Sequence, residues 1–201
     1  MMIELKLDKN KSAAVIVAHP DDETIWMGGT IARNKDISWM VFVLCRESDP
    51  NRMPKFRKIM SDYYNVEGVI CDLEDEGIMT VAESVPEIKS IIKKRLPNKK
   101  FDYIFTHGPK GDYGHPRHIG VHNAVRDMFS QEKANLKSIF YFAYQRELNI
   151  RKAIPDKTAD FYVELSKDEW KAKRDVIKNL YGFSKMSFEN ISCSAIETFN
   201  N

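Results

Sequence analysis

Residues 13–34 read AAVIVAHPDDETIWMGGTIARN, and their order decides the architecture. Ala13–Ala18 is an unbroken run of small and β-branched apolar residues, the composition of a strand buried on both faces. It ends at once in His19-Pro20-Asp21-Asp22-Glu23, and a helical pattern then runs over Ile25–Asn34. A strand that feeds a helix through a short polar turn is the opening half of a βαβ unit, so a parallel sheet is expected.

Outward from that stretch, apolar runs bounded by polar breaks recur at Ser38–Cys45, Val69–Asp72, Asp102–Thr106 and Ser138–Ala143, with a later one at Phe161–Leu165. Helical periodicity fills the intervals at Pro54–Asn65, Ala82–Leu96 and Pro116–Ser130. Such alternation predicts an α/β chain: a single-domain, Rossmann-like layered fold over residues 1–201, with a mostly parallel sheet flanked by helices. A last helix is announced by Ser166 with Glu169 three residues later, the spacing of a capping box, and Gly182 supplies its stop. Trp170, Val176, Ile177 and Leu180 would form its inward stripe. No repeat and no Pro/Gly/Ser linker divides the chain, and the tail beyond Gly182 shows no clear pattern.

Thirty-one Lys and Arg stand against 29 Asp and Glu, a formal charge of +2, too small for an electrostatic grip on nucleic acid. The basic cluster Lys93, Lys94, Arg95, Lys99 and Lys100 falls at a helix end, where cations complement the dipole, and reads as solvated surface. Cys45, Cys71 and Cys193 are odd in number and far apart, which indicates reduced, mostly buried thiols and no disulfide framework or thiolate metal site. The start, MMIELKLDKN, has no apolar stretch behind a basic head, and no run approaches the ~20 apolar residues of a membrane span. A cytoplasmic protein acting on a small molecule is the expectation, and a homo-oligomer is compatible with it.

In open α/β sheets ligands gather beyond the carboxyl ends of the strands, where loops meet helix N-termini. Two chemistry-bearing clusters lie at such places. The first is His19 to Glu23; its plain structural reading is that Asp21, Asp22 and Thr24 merely cap the helix. The second is GDYGHPRHIGVH at residues 111–122, in which His115 stands at a helix start, His118 lies a turn in, and His122 shares a face with His118. Two imidazoles and a carboxylate form a known open zinc set that leaves a position for water.

The run AHPDDE after a hydrophobic strand, GGTIA on the next helix and GHPRH later in the chain resemble the PIG-L/LmbE family of zinc-dependent N-acetylglucosaminyl deacetylases. The likeness is strongest over residues 13–60 and 100–130. It implies that one Zn2+ is bound by His19, Asp22 and His118, that Asp21 is the general base, and that His115 stabilises the oxyanion or transfers a proton. The implied activity is removal of an N-acetyl or other N-acyl group from an amino-sugar-like substrate. That set is chemically coherent, because zinc brings the pKa of bound water toward ~7 while a nearby carboxylate accepts the proton.

Around this set, Arg52 falls where related enzymes often keep an Arg that contacts substrate oxygens, against the plain reading of a solvated Arg. His122 reads as a packing or supporting residue, His107 as structural or rim, and Tyr113 as packed unless it lines the mouth. The chain departs from the family at Arg117, where many relatives carry Asp. An inward guanidinium would depress the His115 pKa, whereas one pointing to solvent would alter nothing; Asp112 in the same loop is the candidate to stand in for the lost carboxylate. The rival readings are a catalytically inactive sugar-binding or scaffold protein, and another metal-dependent hydrolase such as a phosphoesterase.

Overall fold

The computed structural model describes residues 1–96, 99–130, 136–147 and 151–201. In chain order the elements are β1 (Ile3–Glu4), β2 (Ser12–Val17), α1 (Asp22–Arg33), β3 (Ser38–Cys45), α2 (Arg52–Lys58, continued by a π-helical turn Ile59–Tyr64), β4 (Glu67–Leu73), α3 (Val81–Arg95), β5 (Tyr103–Thr106), α4 (Gly111–Gly114), α5 (Pro116–Phe129) and β6 (Ser138–Phe142). They are followed by β7 (Tyr144–Glu147), β8 (Lys152–Pro155), β9 (Phe161–Glu164), α6 (Lys167–Asp175, continued by a π-helical turn Val176–Leu180), α7 (Phe188–Ser192) and β10 (Ile196–Asn200). Strands β7 and β8 form a separate antiparallel pair; the other eight make one sheet in the order β1-β9-β10-β6-β5-β2-β3-β4.

The five strands expected from the leading apolar runs form a continuous parallel block of that sheet. Val15 of β2 lies opposite Val41 of β3 on one side and Phe105 of β5 on the other. Because side chains alternate along a strand, Ala13, Val15 and Val17 enter the layer containing Trp26 and Phe56. Ala14, Ile16 and Ala18 enter the opposite layer with Ile88, Val121 and Phe129. A strand apolar at every position is therefore satisfied on both faces. The chain runs outward from β2 through β3 to β4, then crosses back to β5 on the far side of β2, which makes the β2/β5 boundary the topological switch point.

The tail closes the sheet. β10 inserts between β6 and β9, antiparallel to both, and brings Glu197 to a fully buried position. Helix α1 is broken at Met27 (φ −148°, ψ 19°), and Glu197 accepts from the backbone of Gly29 (2.8 Å) and Thr30 (2.8 Å) beyond the break. It thus serves as an N-cap for the second half of the helix. Lys173 of α6 neutralises it at 2.7 Å, and Tyr144 donates to the Trp26 carbonyl (2.9 Å) on the other side of the break. The glycine pair lets α1 approach so closely that a Cβ on Gly29 would collide with Leu165.

The capping box of Ser166 and Glu169 opens α6 as expected. Leu180 departs from the inward stripe: it is 40% exposed, because the wider π-helical turn after Asp175 rotates it away from Val176 and Ile177. Lys93, Lys94, Arg95, Lys99 and Lys100 are exposed, with Arg95 paired to Glu47 and Lys99 to Glu67. The three cysteines are free and buried. Among the described residues no helix is long and apolar enough to cross a membrane.

Candidate active site

The turn after β2 does not simply cap α1. Asp21, at the N-cap position, makes no side-chain cap hydrogen bond and has φ +121°, a conformation that costs a non-glycine residue roughly 1–3 kcal/mol. Its N–H donates to Glu23 Oε2 (3.0 Å), while Asp22 turns back to accept from the N–H of His19 (2.8 Å) and from the Trp26 indole (3.0 Å). Arg46 after β3 and Asp112 after β5 also sit at positive φ, +76° and +63°. Strain is thus concentrated at three neighbouring strand ends, as at sites where geometry is imposed for function.

His19, Asp22 and His118 meet there. His19 Nδ1 lies 3.1 Å from His118 Nε2, and Asp22 Oδ2 lies 3.3 Å from the first and 3.4 Å from the second. Donor atoms about 2.0–2.1 Å from a tetrahedral ion are separated by roughly 3.3–3.4 Å, so the triangle has the size of one face of a metal site. Hydrogen bonding behind the rings supports the same fit. His19 Nε2 faces Asp75 Oδ1 at 3.0 Å and His118 Nδ1 faces Asp112 Oδ2 at 2.8 Å, so each outer nitrogen carries the proton and each inner one presents a lone pair. The 3.1 Å gap between the inner nitrogens is closed by a shared cation, whether a proton or a metal ion. Burial opposes a charge on His19, yet Asp22 and Asp75 outweigh that and lift its pKa to about 10, so a proton occupies Nδ1 unless a metal ion takes its place.

His107 is brought beside this triangle, with Nε2 3.5 Å from Asp22 Oδ2, but that nitrogen already accepts from the N–H of Ala18 (2.9 Å). Its Nδ1 hydrogen goes to Asp112 (2.6 Å), so Asp112 steadies two imidazoles at once. His122 points away and donates to the His107 carbonyl (2.9 Å). His115 caps α5 by accepting from Arg117 N–H on Nδ1 (3.2 Å), and burial together with His118 and His19 pushes its pKa down to about 3.

Asp21 is buried, and burial raises its pKa well above the usual carboxylate range against the pull of Arg52. Arg52 binds Asp21 Oδ2 at 2.7 Å and the Pro20 carbonyl at 2.9 Å, and its guanidinium lies over the Phe183 ring. It is therefore not a free surface Arg. A pocket of about 210 Å³ opens over these groups. Arg46, Arg52 and Asp75 line one part of it, and Tyr113, Phe188 and Glu189 another.

Three supporting residues were missed from sequence. Asp75 lies in the acidic run DLEDEG that leaves β4, where nothing in the sequence singles it out, yet it bridges His19 and Arg46 (2.8 Å to Arg46). Glu23 reads as part of a helix start, yet it is wholly buried and accepts from Thr24 (2.7 Å) and Tyr181 (2.8 Å). Tyr181 stands at the end of the last expected helix, just before Gly182, where nothing local points to a partner 158 residues away. Tyr181→Phe should destabilise the fold by ~1–3 kcal/mol, measured by denaturant unfolding, because Glu23 loses a donor it cannot replace from water.

A family model described as PIG-L, GlcNAc-PI de-N-acetylase, matches residues 14–129, more than half of the chain. The chain belongs to the PIG-L family. Its similarity to a 1D-myo-inositol 2-acetamido-2-deoxy-alpha-D-glucopyranoside deacetylase of Corynebacterium diphtheriae is 27% identity, covering 55% of this chain and 50% of that protein. The chain thus spans about half the length of the curated relative it matches. Its fold is that of the N,N'-diacetylchitobiose deacetylase of Pyrococcus horikoshii, with TM-score 0.64 and 16% identity over 94% of this chain and 83% of the other. The 4-carboxy-2-hydroxymuconate hydratase of Pseudomonas putida is also similar, with TM-score 0.53 and 14% identity over 86% and 79%. One layered fold therefore carries different reactions, and activity must be argued from the site.

Arg117 follows neither of the alternatives expected for it. It is buried at 5% exposure and its guanidinium is engaged by Glu74 at 2.9 Å. The low His115 pKa has other causes: burial first, then His118 and His19. Arg117→Asp should lower the thermal unfolding midpoint by setting two carboxylates face to face, and leave the alkaline limb of the kcat/KM pH profile in place. A limb that moved to higher pH would restore a direct effect of Arg117 on His115.

Proposed function

We propose that this protein is a zinc-dependent hydrolase that removes an N-acetyl or related N-acyl group from a small amino-sugar-like substrate, with His19, Asp22 and His118 holding the ion. The observation that carries the reading is the triangle of three inward donor atoms, 3.1 to 3.4 Å apart, beside the buried carboxylate of Asp21. When bound, zinc supplies a Lewis acid that polarises the acyl oxygen and acidifies water.

Asp21 is the proton acceptor. Arg52 occupies its Oδ2, Oδ1 accepts no hydrogen bond from the described residues, and Asp21 lines the pocket. Its raised pKa makes it basic enough to take a proton and acidic enough to return it to the leaving amine. His115 works as a neutral donor: with Nδ1 accepting from Arg117, its hydrogen sits on Nε2, available to a developing oxyanion. A pocket of about 210 Å³ is smaller than the ~300–1,000 Å³ of sites that enclose whole ligands. It fits the acylamino end of a substrate whose remainder extends past Arg52, Phe188 and Glu189.

The test is acetate release from a panel of N-acetyl amino sugars by protein first stripped with a chelator and then titrated with zinc. Activity should return at one ion per chain and remain absent without metal. Zinc uptake at one ion per chain with no release from any amide would favour a binding protein on the same fold, and cleavage of phosphate esters alone would favour a phosphoesterase.

A further inference from the structure

A second hollow, of about 540 Å³, runs along α6 and shares no lining residue with the pocket over the triangle. The short helix α7 borders both: Phe188 and Glu189 face the first, Asn190 the second. Five cations, Lys167, Lys171, Arg174, Lys178 and Lys185, line this cleft against only Asp168 and Asp175. In a chain of net charge +2, that is a local concentration of positive charge.

Asn190 shows what the charge is arranged around. It is 1% exposed, and its Oδ1 accepts from Arg174 Nε (3.2 Å) and Nη2 (2.8 Å). That pair fixes the amide, because the flipped orientation would set N–H against N–H. Nδ2 is then a buried donor with no partner among the described residues, a rarity in native proteins that points to an absent acceptor. Trp170 completes the wall. Its indole N–H is committed to the Cys193 carbonyl (2.9 Å) and Arg174 lies 5.2 Å from its ring centroid, so the guanidinium is held in place from two sides.

We propose that this cleft binds a free, small phosphate-bearing molecule, a phosphate ester or diphosphate, whose oxygens accept from Asn190 Nδ2 and are neutralised by the surrounding lysines. A phosphoryl group suits the cleft because it offers several acceptor oxygens to several donors, and charge-assisted bonds of that kind are the stronger ones. Because α7 borders both hollows, an occupant here rests against Asn190, next to the Phe188 and Glu189 that line the pocket over the triangle.

The test is a heteronuclear NMR titration of the full chain, metal-loaded, with inorganic phosphate at low ionic strength, followed at the Asn190 side-chain amide. Saturable movement of that signal is expected, with affinity falling at least tenfold in the double charge reversal Lys171→Glu/Lys178→Glu. Both lysines are exposed, so the variant should fold. A stationary Asn190 amide overturns the proposal. So does undiminished affinity in the reversed variant, or movement confined to signals around His19 and His118.

Discussion

Asp21→Asn is expected to lower kcat by roughly 10²–10⁴-fold while the chain still takes up one zinc ion. Asn keeps an oxygen for the 2.7 Å contact with Arg52 and tolerates the positive φ of this residue better than most side chains. The substitution therefore removes the proposed proton acceptor without disturbing the turn. Asp22→Ala makes the contrast, since it deletes one corner of the donor triangle and the acceptor for the Trp26 indole. Metal content by atomic emission and single-turnover acetate release separate the two variants. An Asp21→Asn protein that retained full turnover would remove Asp21 from the chemistry, and one that lost its metal would make it a ligand.

The second large effect lies away from the chemistry. Lys173 and Glu197 are 1% and 0% exposed and 2.7 Å apart, and removing one member of such a pair leaves the other charge buried alone, at a cost of ~3–5 kcal/mol. Lys173→Met should therefore destabilise the fold by about that amount, read from urea unfolding midpoints at constant slope. The double variant Lys173→Met/Glu197→Gln should recover part of the loss, because Gln stays neutral and can still accept from Thr30. A loss below ~1 kcal/mol in the single variant would show that water reaches Glu197 and that the α1 break does not depend on this pair.

The parallel half of the sheet was legible because each of its strands is apolar on both faces, a pattern that survives without knowledge of the neighbours. That His19, Asp22 and His118 converge was expected from the resemblance carried by two dense motifs, one holding His19 and Asp22 within four residues and the other His118. What escaped are residues whose meaning depends on distant partners. Glu197 is an acid in the middle of a short strand, and it becomes interior only through Lys173 and the backbone donors of Gly29 and Thr30. Asp75 is one of several acids in a loop, singled out by His19 and Arg46 alone. Leu180 failed for a local reason, a change of helical pitch that a fixed period does not anticipate.

Tyr181 is bonded to Glu23 and Glu197 to Gly29 and Thr30, so both ends of the segment from 182 to 196 are bolted to the first motif and its helix. Between those bolts the chain supplies Phe188 and Glu189 to the mouth of the pocket and none of the three corners of the triangle. The segment is in effect a rim: it shapes the mouth of the pocket from a stretch of chain separate from His19, Asp22 and His118. The triangle and the mouth above it are thus inherited on separate stretches of one chain, so a change in one need not rewrite the other.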